Sequence, residues 1–157
     1  MENIPEDGHG PVLTYLTPIK DVIIECEFRL STKDVVDRHF RIFLDNPEYG
    51  GHTIAAWANV STVFRPKGLT LFHNPKVKGK TPVKAVDIGP QSWHAKVAGW
   101  HKMTLVLIGD KARVIVDAVE LDARIPGLDT TKNKIGLNPG KAGGEVRNFK
   151  AWKALKP

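Results

Sequence analysis

From Val22 to Leu30 the chain alternates without a break. Val22, Ile24, Cys26, Phe28 and Leu30 fall on one face, and Ile23, Glu25, Glu27 and Arg29 on the other. A period of two marks a strand buried on one side and excludes an amphipathic helix, whose period is 3.6. The alternation returns after the polar turn Ser31-Thr32-Lys33-Asp34. There Phe40, Ile42 and Leu44 take the apolar phase, while His39, Arg41, Phe43 and Asp45 point away. Two such runs in sequence demand a sheet, and the apolar sides of its strands demand a second layer to cover them.

The rest of the chain repeats the pattern. Short strands are expected at 52–59, 61–65 and 69–73, followed by a stretch rich in Pro, Lys and Gly over 74–99 that reads as a long loop. Residues 100–108 and 111–117 flank Gly109-Asp110, a two-residue link of the kind that closes tight hairpins. Further strands are expected at 119–121, 134–137 and 145–152. About nine strands with frequent turn signals and no helical period predict an all-β single domain, a two-sheet antiparallel sandwich. Its core is predicted to hold Val22, Ile24, Cys26, Phe28, Phe40, Ile42, Leu44, Leu105, Leu107, Val114 and Val116.

Composition narrows the function classes. The 157 residues contain one cysteine, which excludes an internal disulfide framework and a Cys-rich zinc site. The six histidines are scattered without a metal-ligand spacing. No apolar run approaches the ~20 residues of a membrane-spanning helix, and residues 1–7 do not resemble a signal peptide. The net charge of +6 invites a nucleic-acid reading, but the basic residues are dispersed except at Lys76, Lys78, Lys80 and Lys84. That cluster makes polyanion binding a weaker alternative and nucleic acid an unexpected partner.

The order of the segments carries a resemblance. Residues 21–30 followed by Phe40-Arg41-Ile42-Phe43-Leu44, then Trp100-His101 opening one strand and Asp117 closing the next, then 135–137 and 145–152, resemble the 3-keto-disaccharide hydrolase domain (DUF1080). That domain belongs to the concanavalin A-like lectin and glucanase superfamily, so the resemblance implies a concanavalin A-like jelly roll and a carbohydrate ligand. It also implies periplasmic or secreted placement and a leading strand, of which residues 8–14 read as a remnant. The glucanases of this superfamily carry a Glu-x-Asp-x-x-Glu strand. Here Glu25-Cys26-Glu27-Phe28-Arg29-Leu30 lacks the central Asp and the final Glu.

Glu25 and Glu27 share one strand face with Cα atoms about 6.6–7 Å apart. Two carboxylates flanking a glycosidic bond are the minimum for glycoside hydrolysis, and these two are the candidate catalytic pair. Pairing with cross-strand arginines is the alternative reading of the same residues. Arg29, His39, Arg41, Phe43 and Asp45 are expected beside them as substrate-binding groups, because an aromatic ring covers the C–H patches of a sugar while charged groups bind its hydroxyls. Trp93, in the long loop, is a candidate sugar platform, and Trp57 is ambiguous. A non-catalytic carbohydrate-binding or adhesion module would use the same face or the loop. No cofactor is expected. Asp45, Asn46 and Glu48 offer a weakly supported calcium site. Asn59-Val60-Ser61 matches a glycosylation acceptor.

Overall fold

A computed structural model describes residues 12–32, 38–60, 66–77, 86–89 and 93–155. Every regular element among them is a strand, and none is a helix long and apolar enough to cross a membrane. The strands are β1 (Leu13–Ile19), β2 (Val22–Leu30), β3 (His39–Asp45), β4 (Tyr49–Gly50), β5 (Ile54–Asn59), β6 (Leu69–His73) and β7 (Lys76–Val77). They continue as β8 (Val86–Ile88), β9 (His101–Ile108), β10 (Lys111–Val116), β11 (Val119–Arg124), β12 (Lys132–Asn138) and β13 (Gly144–Lys153). One sheet has six strands in the order β1-β12-β3-β5-β6-β8, and the other five in the order β11-β10-β9-β2-β13. The small pair β4–β7 stands apart. All pairings are antiparallel.

The two sheets pack face to face as a jelly roll, and the predicted core is what they bury. Each of the eleven residues expected there has no exposed surface. Phe28 of one sheet stacks on Phe40 of the other, with ring centroids 4.3 Å apart and planes 11° apart. Tyr15 of β1 stacks on Phe149 of β13 across one side of the sandwich. The β9–β10 hairpin closes through Gly109-Asp110 as expected. Gly109 takes φ +58° there with open space around its missing Cβ, so the turn's backbone rather than crowding selects glycine.

Three expectations need correction. A strand occupies Leu13–Ile19, where a remnant ending at Thr14 was expected; Pro18 and an irregular pattern hide it, and both are at home on an edge strand. The stretch 74–99 holds β7 and β8, which at two and three residues are too short to alternate visibly. The expected strand 61–65 lies outside the described residues. Most consequential, β2 and β3 are consecutive in the chain but belong to different sheets, so their polar sides are the outer faces of opposite layers.

Candidate functional site

The outer face of the six-stranded sheet is built by register. Arg41 of β3 lies opposite Trp57 of β5, which lies opposite Thr70 of β6; Phe43, Ala55, Phe72 and Asp87 form the next row. Phe43, Ala55 and Trp57 are buried on this face, and Phe72 packs on them as a second, small apolar cluster. The Arg41 guanidinium carbon stands 4.8 Å from the Trp57 ring centroid and 5.2 Å from that of Phe43. His39 tilts against Trp57 at 4.5 Å. Asn59, 1% exposed, donates its amide to the Lys67 carbonyl at 2.8 Å. Its Oδ1 has no hydrogen-bond partner among the described residues. Beside it opens a cleft of about 220 Å³ lined by Trp57, Asn59, Lys67, Thr70, Phe72 and Asp87. At its rim Lys67 donates to the Asp87 carbonyl at 2.6 Å, with the Asp87 carboxylate 3.6 Å away.

Toward β12 the same face is closed. The tip of the Phe43 ring lies over Gly136, where any Cβ would fall 2.0 Å from it. His52, Arg41 and Lys134 surround that ring, so it offers no open platform. Asp45 is held by His52 at 2.8 Å and Lys134 at 2.6 Å. Burial alone would push its carboxyl up, but His52 and Lys134 outweigh burial and hold it below the usual range.

Glu25, Glu27 and Arg29 project from the other sheet, away from His39, Arg41, Phe43 and Asp45. Alternation could not separate the two groups, because it reports the phase of a side chain within its strand and not which sheet the strand joins. On the five-stranded face every one of these charges is paired across strands. Glu25 meets Lys102 at 2.7 Å, Glu27 meets Arg147 at 2.6 Å, and Arg29 meets Glu145. Arg147 and Asn148, by hydrogen bonding, hold the Glu27 carboxyl below its ordinary value. Trp100 lies under the guanidinium groups of Arg147, at 3.8 Å, and Arg29, at 5.1 Å. Cys26, between the two glutamates in sequence, faces the core; burial first, then those carboxylates, pushes its thiol up to about 12. It is inert as a nucleophile.

Trp93 is not the exposed loop platform expected. It packs partly buried against the main core, and the neighbouring Ala95 N–H donates to the Asn59 carbonyl at 2.9 Å. Of the residues lining the cleft, Asn59, Lys67, Thr70, Phe72 and Asp87 were not expected as binding groups, and Trp57 was ambiguous. Alternation through Ala55, Trp57 and Asn59 was the legible signal for the two β5 residues. The calcium reading finds its oxygens occupied: Asn46 Oδ1 accepts the Glu48 N–H at 2.7 Å, its amide donates to Thr130, and the Asp45 carboxylate is held by His52 and Lys134. Among the described residues no group of three or more His, Cys, Asp or Glu converges. Asn59, of the glycosylation-acceptor match, is buried. Lys78, Lys80 and Lys84 lie outside the described residues.

No family model matches the chain, and no curated protein matches it in sequence. The 3-keto-disaccharide hydrolase resemblance therefore gains no support beyond the superfamily's fold. Solved structures do match. A homodimeric agglutinin from chicken liver aligns with TM-score 0.62 at 9% identity, over 90% of this chain and 100% of its own. Congerin II with lactose and MES bound aligns with TM-score 0.64 at 9% identity, over 90% and 100%. A tetrameric galectin from the ball sponge Cinachyrella aligns with TM-score 0.61 at 12% identity, over 90% and 99%. At these identities the likeness is one of fold: the chain has the concanavalin A-like jelly roll of the galectins.

Proposed function

We propose that the chain is a non-catalytic carbohydrate-binding module whose ligand sits on the outer face of the six-stranded sheet, in the cleft beside Trp57. The observation that carries this reading is the buried, unsatisfied Oδ1 of Asn59 beside an aromatic ring and a pair of opposite charges. An orphaned buried acceptor costs about 1–3 kcal/mol and calls for a donor, which a sugar hydroxyl supplies. Trp57 contributes an apolar surface for sugar C–H groups. Thr70, Lys67 and Asp87 supply donors and acceptors in both directions, as a polyhydroxylated ligand requires. The fold likeness to lactose-liganded congerin II supports a sugar on this side of the argument.

The hydrolytic reading draws less support. A general acid for glycoside cleavage needs a raised pKa, whereas Arg147 and Asn148 lower that of Glu27. The test is a glycan array followed by calorimetric titration with lactose and the best glycans found. Trp57→Ala and Asn59→Ala should each weaken binding at least tenfold, by about 1.4 kcal/mol or more. Glu25→Gln and Glu27→Gln should leave it unchanged, and no disaccharide should be turned over. Binding indifferent to Trp57 and Asn59, or turnover abolished in the glutamate variants, would overturn the proposal.

A further inference from the structure

The opposite outer face carries a larger cleft, of about 580 Å³, over β9, β10 and β11. That volume falls within the roughly 300–1,000 Å³ of small-molecule sites. Its floor is apolar, Val106 and Ile108, and its far wall is charged, Lys111, Arg113, Asp122 and Arg124. Arg113 and Asp122 neutralise each other through a 2.6 Å ion pair. Lys111 and Arg124 are different. They are direct partners across the β10–β11 ladder, and neither has an ion-pair partner among the described residues. Two like charges directly opposite on one sheet face destabilise the pairing. An anion between them would turn that repulsion into two attractions.

The apolar floor also runs on past the cleft. In register, Val106 lies opposite Ile23 of β2, and Ile23 opposite Trp152 of β13, which is 46% exposed. From Arg113 to Trp152 is three strand spacings, about 14 Å. The cations Lys111 and Arg124 sit in the adjacent row, beside Ile108, and the row from Val106 to Trp152 carries no charged side chain.

We infer that this face is a second ligand site, for a small amphipathic carboxylate. Its head group lies between Lys111 and Arg124, and its apolar body runs along Val106 and Ile23 toward Trp152. The site is independent of the sugar face, since the two lie on opposite layers of the sandwich.

The experiment is an amide chemical-shift titration of the whole chain with octanoate, and in parallel with 1-octanol, at 0.15 M salt. Octanoate should shift amides of β9, β10 and β11 saturably. The Lys111→Gln, Arg124→Gln double variant should bind it at least about tenfold more weakly, as should wild type bind 1-octanol. Both substitutions fall on exposed side chains, so the fold is retained. Trp57→Ala should leave the octanoate titration unchanged, which separates this site from the sugar face. The inference is overturned if octanoate shows no saturable shift, if shifts centre on another surface, if the double variant binds equally well, or if 1-octanol matches octanoate.

Discussion

Lys132 shows how much one side chain can say. It is fully buried, and its amine donates to the carbonyls of Lys20 at 2.8 Å and Leu128 at 2.7 Å. Burial pushes its pKa down from 10.5 to about 8, against the opposing pull of Asp21 and Asp129. The folded chain therefore releases this proton before the unfolded chain does. Between pH 8 and 10.5 the unfolded state binds more protons, so raising the pH through that window stabilises the fold. Urea unfolding of wild type and Lys132→Met at pH 7.5, 9 and 10 should show wild type gaining stability relative to the variant as pH rises. The gain is a few kcal/mol at most. A difference that stays flat, or shrinks with pH, would show that the burial of Lys132 does not tune its amine. Nothing in Thr131-Lys132-Asn133 announces a buried lysine; only the carbonyls brought to it by β1's end and the β11–β12 connection make the position tolerable. Asn59 is the converse case. It shares its strand phase with Ala55 and Trp57, and the packing of Lys67 and Ala95 beside it makes it buried.

Elements differ in how far their residues betray them. β2, β3, β9 and β10 are legible because each is long enough to alternate and because a two-residue turn closes the last pair. β7 and β8 are not, since two or three residues carry no period. The β3–β12 ladder adds a constraint of its own, with Gly136 directly opposite Phe43 and under its ring. A strand interior ordinarily disfavours glycine. Here Gly136→Ala should destabilise by about 1–3 kcal/mol, since the new methyl displaces a ring already held by Arg41, His52 and Lys134. In a Phe43→Ala background the same substitution should cost little, which a double-mutant cycle in denaturant reads directly. Additive costs would mean that the ring and the glycine do not constrain each other.

At the scale of the molecule, stability rests on the contact between layers. The Phe28–Phe40 stack joins the two sheets at their centre, and both rings are fully buried. Phe28→Ala should cost about 3–5 kcal/mol, read as a fall in melting temperature of roughly 10 °C in a chain of this size. An unchanged melting temperature would contradict the sandwich core. The alternation of the amino acids by itself determined which side of each long strand is buried, hence the all-β class, the two layers and the core. Partner choice was decided elsewhere. β2 pairs with β9 and β13, and β3 with β5 and β12, through contacts that for β9, β12 and β13 reach across much of the chain. A strand's own residues encode its phase but not its neighbours. For that reason Glu25 and Arg41 look alike in sequence, both on the polar side of a strand, and only the tertiary pairing set them on opposite faces of the protein.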